Sequence, residues 1–259
     1  MEIGNLMFSK ITGIFFTFAL LTNVASAGMT ITGTRIIFPS DEREVTVRTN
    51  NRGASPSLVQ VWVDDGKVGG DINKVNTPFV VTPPVYRVEP GKGQSVRLVY
   101  NGMSLPQDRE SVFWFNMLEV PPVDKKAKNA DVLELAFRTR IKIFYRPSSL
   151  KSSSINDLDK LTWQQVNTNK GRGIKVSNPT PYYVSFESAS IEAGNRKYAL
   201  ETEMVEPFGS KTFSVSGNQS VSTAINSIDI NILNDYGATV NQKLVAQGGG
   251  FIHRNAIKG

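Results

Sequence analysis

Covalent catalysis has little to work with in this chain. The single histidine, His253, stands six residues from the C-terminus, and cysteine is absent. A Ser-His-Asp relay would have to run through His253. That residue follows Gly248-Gly249-Gly250, which reads as a loop or frayed terminus and a poor place to hold a base. Without cysteine there is no thiolate nucleophile, no disulfide framework and no cysteine metal site. The HExxH, P-loop and metal-ligand spacings are missing as well. Gly91-Lys92-Gly93 copies half of a phosphate loop, but no helix follows it, and it reads as a hairpin turn. Paired carboxylates for glycoside hydrolysis leave no sequence signature, since any two acids can meet in space. The expectation is a protein with no catalytic residue, no metal and no cofactor.

The chemistry on offer is recognition. From Asp131 to Pro147 the chain reads DVLELAFRTRIKIFYRP. Leu133, Leu135, Phe137, Thr139, Ile141, Ile143 and Tyr145 alternate with Glu134, Arg138, Arg140, Lys142 and Arg146. Period-two alternation is the mark of a strand with one apolar face. A strand of about 13 residues would span roughly 40 Å, well beyond the usual 5–6 residues. One immunoglobulin-sized sheet cannot easily cover that much apolar face, so part of it is expected to protrude. An exposed apolar strand invites aggregation unless a partner uses it. The stretch therefore reads as a strand offered to another protein.

The elements that must position this strand are themselves strands. Short alternating runs recur at Thr34–Phe38, Glu44–Thr49, Ser57–Val63, Phe79–Val81, Val85–Glu89, Ser95–Val99 and Ser111–Glu119. Turn residues separate them, among them Pro39-Ser40-Asp41, Asn51-Arg52-Gly53 and Glu89-Pro90-Gly91. Pro147 ends the long strand because it cannot donate to a ladder. The serine-rich stretch after it marks a domain boundary. A second set follows at Thr162–Val166, Gly173–Ser177, Tyr182–Ser190, Arg196–Leu200, Lys211–Ser214, Ser227–Leu233 and Gln242–Val245. The fold class is all-β: two tandem immunoglobulin-like β-sandwich domains, over 28–148 and 149–259.

Residues 1–27 read as a signal peptide. An apolar run from Ile11 to Leu21 follows Lys10, and Ala25-Ser26-Ala27 has the small-x-small form of a cleavage site. The run is shorter than the about 20 residues needed to span a bilayer. Cleavage after Ala27 would leave an exported chain with no membrane span. It would remove Glu2 and Lys10, so the net charge would stay at +6. Lys125, Lys126 and Lys128 form the one tight basic cluster, with no aromatic platform beside it. This reads as a solvated loop rather than a nucleic-acid site.

Several motifs, in order, resemble the periplasmic pilus-assembly chaperones of the immunoglobulin-like two-domain (PapD-like) type. They are Thr34-Arg35-Ile36-Ile37-Phe38, Thr82-Pro83-Pro84, Leu105-Pro106-Gln107-Asp108-Arg109-Glu110-Ser111 and Ile141-Lys142-Ile143-Phe144-Tyr145-Arg146-Pro147. Asn178-Pro179-Thr180-Pro181-Tyr182-Tyr183 and Ile232-Leu233-Asn234-Asp235-Tyr236-Gly237 complete the set. The short link between Pro121-Pro122 and Leu133 is similar to the short-loop subclass of that family. The resemblance implies a periplasmic protein that binds pilus subunits lacking a final strand, by donor-strand complementation. It also implies delivery to an outer-membrane usher. Leu133, Leu135 and Phe137 match the donor residues, although Phe137 is bulkier than the expected aliphatic. Arg35 and Lys142 match two cations that grip the subunit's C-terminal carboxylate. Glu110, Arg146 and Asp235 match a salt-bridge cluster that sets the angle between domains. Arg97 and Tyr182 are weaker candidates for the cleft. Two exposed donor strands could also cap each other in a dimer. Two other readings stay open, an adhesive or structural surface β-sandwich and an exported carbohydrate-binding module.

Overall fold

The computed structural model describes residues 28–67, 76–120 and 135–254. The signal-peptide stretch, the lysine cluster and Leu133 lie outside the described residues. Among those described, no helix is long and apolar enough to cross a membrane.

The N-terminal domain is built from β1 (Met29–Ile31), β2 (Arg35–Pro39), β3 (Glu44–Asn51), β4 (Ser57–Asp64), β5 (Phe79–Thr82), β6 (Val85–Val88), β7 (Gly93–Tyr100), β8 (Ser111–Val120) and β9 (Phe137–Arg146). They form a four-stranded sheet, β1-β3-β7-β5, and a five-stranded sheet, β2-β9-β8-β4-β6. Alternation decides which side chains enter the core. In β7, Val96 and Leu98 are buried while Ser95 and Arg97 face water. Phe38, Val59, Val96, Leu98, Phe115 and Ile143, drawn from both sheets, are fully buried in one cluster. Aliphatic and aromatic side chains of this size each contribute about 1.5–3 kcal/mol when fully buried.

One crossing between the sheets matters for function. β1 pairs with β3 in the four-stranded sheet, whereas β2 pairs with β9 in the other. Thr32-Gly33-Thr34 carries the chain across, with Gly33 at φ +91°, a left-handed conformation that a side chain would oppose. β2 then runs parallel to β9, placing Arg35–Pro39 against Lys142–Arg146. On its other edge β9 is antiparallel to β8 over its whole length, from Glu119↔Phe137 to Ser111↔Tyr145. The edge of β9 facing β2 is thus covered from Lys142 onward. From Phe137 to Ile141 no described strand covers it.

The C-terminal domain contains β10 (Thr162–Thr168), β11 (Gly171–Ser177), β12 (Phe186–Ala193), β13 (Arg196–Leu200), β14 (Ser210–Phe213), β15 (Ile225–Leu233), β16 (Thr239–Gln247) and β17 (Gly250–His253). They make one continuous sheet, in the order β13-β12-β15-β16-β17-β10-β11-β14. It wraps round a separate core that includes Ile174, Val176, Ile191, Ile228, Ile232 and Leu244. A bridge from Leu200 to Val215 links β13 to the residues just past β14.

Three readings of the sequence need correction. The three glycines are a tight turn and not a frayed end: Gly248 and Gly249, at φ +58° and +86°, turn the chain between β16 and β17. β17 also pairs with β10 through Gly250, and His253 is a strand residue opposite Leu244. The strand expected from Tyr182 begins only at Phe186: Tyr183 gives its N–H to Glu110 at the domain junction, and Val184 pairs with Val205 in an isolated bridge. The described part of the long strand starts at Phe137, so Leu135 lies ahead of the ladder.

Candidate functional site

The parallel register of β2 and β9 sets two cations side by side. Arg35 lies directly opposite Lys142, and Trp114 of β8 is opposite Lys142 on its other flank. The Lys142 ammonium sits 5.3 Å from the Trp114 ring centroid, and the Arg35 guanidinium 5.7 Å from that of Phe144. Arg35 Nη1 donates to the Leu233 carbonyl at 3.2 Å, while its buried Nε has no partner among the described residues. Burial lowers the pKa of both groups. The Arg35 charge lowers Lys142 further. Asp235 and Glu110 partly compensate Arg35, but no carboxylate among the described residues acts on Lys142. A half-desolvated cation pair of this kind gains from any anion that can reach it.

Beside the pair lies a charged junction between the domains. Arg146 closes β9, Glu110 precedes β8, and Asp235 sits in the turn between β15 and β16. Arg146 donates from Nε to Glu110 Oε1 at 2.7 Å, and from Nη1 and Nη2 to the two Asp235 oxygens at 2.7 and 2.9 Å. The other Glu110 oxygen accepts from the Tyr183 backbone N–H at 2.8 Å. Glu110 is buried, and that burial raises its pKa despite Arg146. The two carboxylates push the Arg146 pKa upward against its own desolvation. Tyr182 is buried below, with its ring 5.4 Å from the Arg146 guanidinium and its hydroxyl accepting from Ser152 N–H. It therefore has no surface to give a ligand.

The turn carrying Asp235 comes so close to the first domain that Gly237 has no room for a side chain. A Cβ there would collide with Thr34 Oγ1, and the Gly237 φ is +80°. Gly237→Ala is expected to cost about 1–3 kcal/mol, from backbone strain and the clash together. Adding Thr34→Ala should return only the steric part. Thermal melts of the two single variants and the double variant check this; full additivity would mean that the turn and Thr34 do not touch.

The apolar face of β9 divides at Ile141. Ile141, Ile143 and Tyr145 point into the core and are buried. Leu135 and Phe137 are 52% and 60% exposed, and Thr139 is exposed beside them. Arg97 lies elsewhere, paired with Glu44 on the outer face of the four-stranded sheet. One constellation escaped the sequence reading. On the outer face of the five-stranded sheet, Arg138 and Arg140 both reach Asp64 of β4. The alternation exposed the arginines, but nothing local points them at an acid so far away in the chain.

Two family models match, and between them they span nearly the whole described chain. Residues 28–151 match the pili and flagellar-assembly chaperone PapD N-terminal domain, and 156–244 the pili assembly chaperone PapD C-terminal domain. The chain belongs to the pilus-assembly chaperone family. The chaperone is 40% identical over 230 residues to the "Probable fimbrial chaperone YadV" of Escherichia coli K12, covering 87% of this chain and 93% of that one. The crystal structure of the YadV chaperone superposes with a TM-score of 0.72 at 38% identity, covering 85% of the chaperone and all of that chain (100%). The SafB chaperone, solved in complex with the Salmonella enterica SafA pilin, is similar with a TM-score of 0.68 and 27% identity, over 85% of this chain and 96% of that one. The family is one of chaperones rather than enzymes.

Proposed function

We propose that this chaperone binds pilus subunits lacking their last strand by adding β9 to them, and grips the subunit's C-terminal carboxylate with Arg35 and Lys142. The observation that carries the reading is the continuity of these features on one strand. An uncovered backbone edge and an exposed apolar face, Leu135 and Phe137, run directly into a cation pair whose lysine has no described carboxylate beside it. Backbone pairing extends the sheet, alternate side chains fill the subunit's open core, and the carboxylate fixes the register. A one-residue slip would turn the apolar set away from the groove. Leu133 extends the same alternation by sequence. Glu110, Arg146 and Asp235 hold the angle between the 28–148 and 149–259 domains, since ion clusters of this kind fix geometry more than they add stability. The chain is exported by a signal peptide cut after Ala27, works in the periplasm, and passes its subunit to an outer-membrane usher. Between clients, a second copy can cap the exposed strand.

Lys142→Ala tests the anchor. Charge-assisted hydrogen bonds contribute about 1.5–3 kcal/mol each, so subunit affinity should fall roughly 10–150-fold, with little change in melting. Deleting the subunit's last residues should cause a similar loss, and combining both changes should add little. Because burial and Arg35 depress the Lys142 pKa, the free ammonium should lose its proton below the ordinary lysine value of 10.5. Binding should then weaken as pH rises through that lowered value, and Lys142→Ala should flatten the alkaline limb. Parental affinity in a folded Lys142→Ala protein would remove the carboxylate anchor.

A further inference from the structure

The exposed half of β9 has a structural problem that the donor reading leaves unsolved. From Phe137 to Ile141 it is bonded, among the described strands, to β8 alone, because β2 covers only Lys142–Arg146. Strands with a single neighbour fray readily, and a frayed donor loses entropy again each time it is straightened against a client. The outer face of the five-stranded sheet supplies a second tie over that very half. Arg138 donates through Nε and Nη2 to Asn116 Oδ1 at 3.1 and 2.7 Å, and through Nη2 to Asp64 Oδ2 at 3.1 Å. Arg140 Nη2 donates to Asp64 Oδ1. Asn116, buried in β8 between them, donates from Nδ2 to Asp64 Oδ2 at 2.9 Å. Gly66 N–H holds Asp64 Oδ1 at 2.9 Å from the far side. Both guanidinium groups also lie over indoles, Arg138 at 5.0 Å from the Trp62 ring centroid and Arg140 at 4.2 Å from that of Trp114. The ties span three strands, from β9 across β8 to β4, and the acid at their centre is buried. Charge-assisted bonds to a carboxylate shielded in this way are stronger and more directional than those of a solvated surface pair.

We infer that Asp64 is a positioning residue for subunit capture: through Arg138 and Arg140 it holds the uncovered half of β9 straight and in register before a client arrives. Asp64 acts from the face opposite Phe137 and need never touch the subunit. Once a client strand has paired with β9, that strand becomes the missing neighbour and the clasp is no longer needed. It therefore acts on the rate of capture and leaves the lifetime of the complex alone. The inference rests on β9 being the donor.

The test uses the whole chaperone and the pilus subunit that co-purifies with it, unfolded in guanidinium and diluted into chaperone. In Asp64→Asn, hydrogen exchange at the β8-bonded amides of Phe137–Ile141 should accelerate by about tenfold or more, while amides of β3 and β7 keep their protection. Capture should slow by roughly three- to tenfold, and release of the formed complex should stay within about twofold of parental. Arg138→Gln combined with Arg140→Gln, which leaves Asp64 bonded to Asn116 and Gly66, should do the same and covers the case in which Asp64→Asn folds poorly. Unchanged exchange in β9, unchanged capture, or capture and release altered together with exchange raised throughout the domain would each overturn the clasp. Phe137→Glu separates the two ideas. If it captures normally, β9 is not the donor and the clasp falls with that reading. If it fails while Asp64→Asn captures at the parental rate, only the clasp falls.

Discussion

Replacing Arg146 with alanine should destabilise the protein by about 3–5 kcal/mol, since removing one partner of a buried pair strands the other charge. For domains of this size, at about 4 °C per kcal/mol, that is a melting shift of roughly 12–20 °C, and periplasmic abundance should fall with it. Glu110 carries the penalty. It is buried, and its remaining donor among the described residues is the Tyr183 N–H. Asp235 is partly exposed and can turn to water. Glu110→Gln in the Arg146→Ala background should therefore recover much of the loss, whereas Asp235→Asn should recover little. The pH dependence follows from the direction of the Glu110 shift. Burial already raises its pKa above 4.5, and loss of Arg146 raises it further. A carboxyl with a raised folded-state pKa makes the native state take up its proton first, so stability falls as pH rises from the unfolded value through the folded one. The Arg146→Ala deficit should accordingly shrink on mild acidification toward pH 4.5 and be complete above the folded-state value. Urea melts across that range check this; a deficit independent of pH would mean that Glu110 is not the stranded group.

Phe137→Glu should abolish subunit protection while leaving the free chaperone intact. The side chain is largely exposed, so its loss should change stability by within about 0.5 kcal/mol. In a complex, a fully buried Phe contributes about 1.5–3 kcal/mol, and the new carboxylate would enter an apolar groove with no partner. Together these exceed roughly 100-fold in affinity, at about 1.4 kcal/mol per factor of ten. Leu135→Glu should behave alike. Leu58→Glu provides the control, for Leu58 is 50% exposed and equally apolar but lies on β4 rather than β9. Recovery of subunit from periplasm with each variant decides the matter. Equal yields from Phe137→Glu and Leu58→Glu would place the client on another surface.

Much of the architecture was legible because alternation is a local code. β3, β4, β7 and β8 all lie within a few residues of where hydrophobic periodicity put them. β1 and β17 were not, since three or four residues carry too little pattern, and three successive glycines imitate a disordered end. Here two of those glycines supply the left-handed angles of a hairpin turn. Long-range register is another matter. That Arg35 should face Lys142 came from family motifs, because no local rule sets β2 parallel to β9 at that offset. The Asp64 cluster had no motif to announce it. It depends on two registers at once, β4 on β8 and β8 on β9. The continuous sheet of the second domain was equally hidden, since it depends on which strands pair rather than on which residues form strands.

That sheet has a consequence for how the molecule behaves in a crowd. The segment following the Pro207-Phe208 turn bonds first to β11 and then, through Val215, to β13. Backbone hydrogen bonds from Glu201 N to Ser214 O and from Ser216 N to Ala199 O, 2.8 and 2.9 Å, carry the same closure. The two outermost strands of the sheet are thereby stitched together into a ring. The closure occupies backbone groups of Ala199, Glu201, Ser214 and Ser216 that a passing chain could otherwise pair with, and so shortens the selvedge this sheet offers to strand-seeking neighbours.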